Sequence, residues 1–201
     1  MGKHTGHELV ISLLTVSLIA AFGGALSLSF RHTSNSATPD KTVPASDSRI
    51  RGTPVPAFEL QDLDGKVVRP QDFKGKVVLI NFWGTTCAPC LTEIPWLVDF
   101  QKRYGPRGLA VLAISMYGEG PDILRPFVAE HHMNDFKVVM GTQKAAEIFG
   151  GVYGFPHTFL VDTQGKFVST HPGIINRKEV ESELVTLLGE TMTASTAGRS
   201  E

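Results

Sequence analysis

Cys87 and Cys90 are the only two cysteines in the chain, and they stand two residues apart in the run WGTTCAPCLTE, Trp83 to Glu93. That spacing suits three chemistries: a redox-active dithiol, half of a metal site, or a small structural bridge. A structural bridge closing so short a loop constrains the unfolded chain little. A zinc or copper site needs further ligands, and zinc usually takes four. Of the seven histidines, His4 and His7 precede a long apolar run, His32 follows it, and His131, His132, His157 and His171 lie far along the chain. None stands beside the cysteines. The dithiol is the favoured reading, with metal binding as the alternative.

The flanking residues strengthen the dithiol. VVLINFW, Val77 to Trp83, is a continuous apolar run, as in a strand covered on both faces. From Ala88 to Tyr104, Leu91, Ile94, Leu97, Val98 and Gln101 recur at helical spacing, with a kink expected at Pro95. Cys87 therefore falls where a strand ends and a helix begins. Unpaired N–H groups and the helix dipole there stabilise a thiolate, below the free thiol's pKa of about 8.5. Pro89 falls in the first turn, where its missing N–H costs nothing.

The rest of the folded part alternates strands and helices. PAFELQD leads to a turn at Asp64-Gly65, LAVLAISM reads as a strand, and Pro121–His132 as a helix disturbed by Pro126. DFKVVM is a third strand, and KAAEIFG a short helix ended by Gly150-Gly151. TFLVD, TQGK and FVSTHPG form a hairpin, and Val180, Leu184, Leu187 and Leu188 mark an amphipathic last helix. The fold class is α/β, a mixed sheet flanked by helices.

The ends differ in composition. Leu9 to Phe30 carries no charge and exceeds the roughly 20 residues that span a bilayer core. Residues 1–30 read as a membrane anchor, with a cleaved signal peptide leaving near Ala25-Leu26-Ser27 as the alternative. Residues 31–52 are rich in Ser, Thr, Pro and Asp and read as a flexible linker. The folded domain is expected over 53–190, and 191–201 as a disordered tail. With 19 basic and 20 acidic residues, nothing recommends a nucleic-acid partner.

WGTTCAPCLTEIP resembles the active-site segment of thioredoxin-like domains, especially the membrane-anchored thiol-disulfide oxidoreductases of the TlpA and ResA type. GTPVPAFELQDLDGKVV and GVYGFPHTFLVDTQGK are similar to that family's entry segment and to its cis-proline loop and final hairpin. The resemblance implies a thioredoxin-like fold with no cofactor. In it Cys87 attacks a client disulfide, Cys90 resolves the mixed disulfide, and Pro156 is the cis-proline across the site. Phe155 would offer its backbone to a client strand, and Trp83 would flank the dithiol. Asn81 stands where cytoplasmic thioredoxins keep a buried acid, which leaves Glu93, one turn beyond Cys90, as a candidate for proton transfer; helix solvation is the commoner fate of such a glutamate.

The same resemblance implies partners: a disulfide-containing or dithiol client, an apocytochrome among the candidates, and a membrane electron donor that restores the dithiol. It places the catalytic domain on the extracytoplasmic, periplasmic side. Two departures stand out. Thr86 replaces the tryptophan usual before the first cysteine, and Phe155 is bulkier than the residue usual before the proline. A disulfide donor, a thiol peroxidase and a metal-binding chaperone of the same fold remain as alternatives. For a peroxidase, Gly84 occupies the place of the usual threonine.

Overall fold

Val77–Trp83 is buried along its whole length, because β-branched and aromatic residues alternate toward two opposite layers of side chains. In the computed structural model, which describes residues 49–197 and side chains to 189, this strand lies near the middle of a seven-stranded sheet. The strands are β1 (Leu60–Asp62), β2 (Val67–Val68), β3 (Val77–Trp83), β4 (Leu109–Ser115), β5 (Lys137–Met140), β6 (His157–Val161) and β7 (Phe167–Pro172). Their spatial order is β2-β1-β5-β4-β3-β6-β7. β3, β4 and β5 run parallel, and β6 and β7 are antiparallel to their neighbours, so the sheet is mixed.

Four α-helices cover it: α1 (Ala88–Tyr104), α2 (Pro121–Glu130), α3 (Gln143–Ile148) and α4 (Arg177–Ala197). α1, α2 and α4 pack on the face that carries Val77, Leu79 and Trp83, through residues such as Ile94, Leu124 and Leu184. α3 and the entry segment cover the opposite face, where Phe58, Phe82, Phe149, Phe159 and Phe167 meet. α1 and α4 are tied at their far ends by the Arg177–Asp99 ion pair at 2.7 Å and by the Tyr104 hydroxyl, which donates to Glu181 at 2.7 Å. Both pairs are partly buried where the end of α1 meets the start of α4.

Three expected boundaries are corrected. Residues 50–52, expected to be linker, belong to the folded domain: the Gly52 amide donates to the Phe167 carbonyl at 2.7 Å, and Ile50 packs against the phenylalanine-rich layer. Residues 191–197 belong to α4 rather than to a tail, since TMTASTA holds neither proline nor glycine to end the helix. α2 ends at Glu130, two residues early, because His132 takes a left-handed conformation with φ 57°.

α1 runs through Pro95 without interruption, the proline sitting on the exposed side where a freed carbonyl is open to water. The apolar run Leu9–Phe30, expected to be a membrane anchor, lies outside the described residues. Among those described, no helix is long and apolar enough to cross a membrane.

Candidate dithiol site

β3 delivers the chain to Trp83, and the turn Gly84-Thr85-Thr86 passes it to α1. Cys87 is the N-cap of that helix, with extended φ/ψ of −85°/95°, and its amide donates to the Gly84 carbonyl at 3.2 Å. Cys87 and Cys90 are joined as a disulfide, S–S 2.00 Å, with Cα atoms 5.2 Å apart. The Cys90 amide donates to Cys87 Sγ at 3.3 Å, one of the N–H groups that a helix start leaves without an intrahelical partner. Cys87 keeps 6% of its surface exposed and Cys90 none. The two sulfurs are therefore unequal: the outer one can be reached and lies against an N–H donor.

Beneath the pair lies a buried polar group that the sequence pattern did not assemble. Glu93 is fully buried one turn after Cys90. Its carboxylate accepts from Asn81 Nδ2 at 2.7 Å and from the Ile175 amide at 3.1 Å. Asn81 Nδ2 also donates to the Thr158 hydroxyl at 3.0 Å. Burial pushes the Glu93 carboxyl up to about 7, against the opposing pull of the Ile175 and Asn81 hydrogen bonds and of His171. A carboxyl group near 7 exchanges its proton at neutral pH, as an acid–base group requires.

In the loop before β6 the Phe155–Pro156 peptide is cis and Pro156 is buried. Tyr117, from the loop after β4, joins Phe155 of this loop to the dithiol turn. Its ring lies 5.8 Å from that of Phe155, edge to face. It also lies so close over Gly84 that an added Cβ there would meet the ring at 2.4 Å. The loop is held by Glu119, which accepts from the Thr85 hydroxyl and, at 3.1 Å, from the buried Ser115 hydroxyl.

The other singled-out residues fall as follows. Trp83 is fully buried in the cluster that holds both cysteines, its ring 5.1 Å from that of Phe127. Its indole Nε1 is the buried side-chain polar atom without a partner among the described residues. Thr86 is exposed beside Cys87, and Phe155 is half-buried. Cys87, Cys90, Asn81, Glu93 and Trp83 thus share one side of the sheet, and Tyr117 links Phe155 to the turn before Cys87.

Tyr117, Glu119, Thr158 and His171 escaped the sequence reading. For Thr158 the alternation of TFLVD held a usable clue, since it points to the same face as Leu160. For Tyr117 there was none. Among the described residues, no group of three or more His, Cys, Asp or Glu side chains is placed to hold a metal ion.

Comparison with known proteins bears on this arrangement. Residues 50–188 match the Redoxin family. The thiol-disulfide oxidoreductase ResA of Bacillus thuringiensis subsp. konkukian is 34% identical over 136 residues, 66% of this chain and 76% of that one. ResA of Bacillus subtilis is 32% identical over 134 residues, 67% and 74% of the two chains. Among solved structures, a thiol:disulfide interchange protein of the thioredoxin family from Chlorobium tepidum superposes with a TM-score of 0.61 at 28% identity, covering 69% of this chain and 97% of that one.

Proposed function

We propose, from the premise that this chain belongs to the Redoxin family and is a thioredoxin-fold thiol-disulfide oxidoreductase, that it works as a protein-disulfide reductase outside the cytosol. The observation that carries the reading is the inequality of the two sulfurs. Cys87 is reachable at a helix N-terminus, and Cys90 is sealed beside a buried carboxyl group.

In the reduced protein, the Cys87 thiolate attacks one sulfur of a client disulfide, and the other client sulfur leaves as a thiolate. Cys90 then loses its proton, with Glu93 as the acceptor one turn away, and attacks Cys87 Sγ. The second client thiolate departs. Two electrons have passed to the client, and Cys87–Cys90 is left oxidised, the state seen in the structure. Phe155 and the cis Pro156 form the wall against which an extended client strand lies, as in strand addition to an exposed edge.

Outside the cytosol a dithiol is consumed by the oxidising surroundings, so repeated turnover needs a membrane protein that returns electrons. The apolar run of residues 9–30 supplies the means of keeping the domain at that membrane. Clients with closely spaced cysteine pairs, apocytochromes among them, suit a site built to expose one sulfur at a time.

The deciding measurement is the equilibrium reduction potential of Cys87–Cys90 in glutathione buffers. A value below about −200 mV supports the reductase. A value near the roughly −120 mV of strong disulfide donors reverses the direction of electron flow and overturns it.

A further inference from the structure

Three consecutive register partners form a polar row on the dithiol face of the sheet. Asn81 on β3 pairs with Thr158 on β6, and Thr158 pairs with His171 on β7. All three are buried. A carboxylate from a covering helix stands at each end. Glu93 of α1 holds Asn81, while Glu183 of α4 lies 3.3 Å from His171 Nε2 and also accepts from Ser169, whose hydroxyl is itself 3.0 Å from that nitrogen. The Glu183 side chain is 28% exposed, so this end of the row reaches water while the Glu93 end does not.

A buried imidazole gripped by a carboxylate and a hydroxyl is an expensive feature to keep in a sheet unless its charge is used. We propose that His171 is a positioning residue of the dithiol chemistry: held by Ser169 and Glu183 at the far end of the row, it sets how readily Glu93 takes up and releases its proton. The inference rests on the reading of Glu93 as proton acceptor for Cys90.

The physical route is electrostatic. Two strand spacings of about 4.8 Å separate the ends of the row. Across that distance charges in water are nearly silent, but within a protein interior they still act on each other. The imidazolium form of His171 favours the Glu93 carboxylate and opposes the burial that holds the proton on it. Glu183 keeps the positive form of His171 supplied with a counter-charge. Its own carboxyl is raised by burial, yet the hydrogen bonds from His171 and Ser169, with the charges of His171 and Arg51, carry it below the usual range.

The other group facing this imidazole electrostatically is His157 on β6, which sits on the opposite face against Thr170 and Phe159. Burial, and then His171, lower it to about 4, so it stays neutral wherever Glu93 titrates.

The test uses the reduced full-length protein and the pH profile of Cys alkylation by iodoacetamide, in wild type, H171Q, E93Q and the double variant. H171Q is expected to move the Glu93-dependent inflection upward by about half a pH unit, about a threefold rate change at fixed pH on its slope. In the E93Q background the same change is expected to do nothing, because the group through which His171 acts is gone. An unmoved inflection in H171Q, or an equal shift with and without Glu93, overturns the proposal.

Should H171Q not fold, ¹³C and ¹H NMR titration of wild type reads the coupling directly. Each of Glu93 and His171 is expected to show an inflection where the other titrates, and two independent curves overturn it. The reductase reading fails separately, if C87S still reduces a protein disulfide at the wild-type rate.

Discussion

The two faces of the central sheet are built from the same strands and do different work. On the face under α3, Phe82, Phe149, Phe159 and Phe167 pack ring against ring, with centroids 5.1–6.0 Å apart. It carries the polar pair His157 on Thr170 and, on the short strand β1, the buried Asp62. The face under α1 and α4 is as well covered, yet it contains Asn81, Glu93, Ser115, Thr158, Ser169 and His171. An aromatic layer can be this dry because the imidazole on it, His157, is held neutral by its burial. The dithiol face cannot, because a reaction that moves protons at a buried sulfur needs polar groups whose hydrogen bonds are already satisfied. One layer supplies stability and the other holds groups poised to change charge.

That contrast can be broken in either direction. The largest effect belongs to the reactive face: C87S should lower protein-disulfide reduction by at least about a thousandfold while leaving the melting temperature near that of the reduced wild type. C90S should instead accumulate a covalent adduct with the client, seen on non-reducing gels. If C87S retains activity, the division of roles between the two sulfurs is wrong.

On the aromatic face, Phe82→Ala should cost about 3–5 kcal/mol of unfolding free energy, read by denaturant titration. It should leave the reduction potential within experimental scatter of wild type. A large change in potential would mean that the two layers are not independent.

The next effect concerns pH. The folded state holds the Glu93 proton up to about pH 7, whereas the unfolded chain gives it up near 4.5. The folded protein thus binds the extra proton between those values, and stability falls as pH rises through that window. At about 1.4 kcal/mol per pH unit, oxidised wild type should lose roughly 3 kcal/mol from this one group. E93Q should flatten the slope, and an unchanged slope would place the proton elsewhere.

The smallest effect is at the rim. Gly84→Ala puts a methyl group into the Tyr117 ring and should cost about 1–2 kcal/mol. Because the Cys87 amide donates to the Gly84 carbonyl, displacing that ring should raise the alkylation rate of Cys87 in the reduced protein. Adding Tyr117→Ala should restore the stability lost to the clash but keep the higher reactivity. If the double variant reacts like wild type, Tyr117 does not shield the sulfur.

Much of this was legible in the residues themselves. β3 and α1 fall at the expected places because an unbroken apolar run and an i, i+3, i+4 pattern each suit one backbone period. The dithiol at their junction follows from two cysteines and a proline. Less local outcomes were not legible. Glu93 was legible as a candidate for proton transfer but not as a buried group; it is buried because the segment around Ile175, 82 residues later, closes over it and donates an amide. His171 was one histidine among seven until strand register set it beside Thr158.

The periodicities, the strand-to-helix junction and the thiol pair placed there are local properties, each set by residues close together in the chain. Which sulfur is sealed, how the Glu93 carboxyl is buried and which polar groups line up with it are long-range properties. Those properties come from desolvation and from hydrogen bonds between β3, β6, β7, α1 and α4, and they exist only once the sheet has its register and the helices close over it.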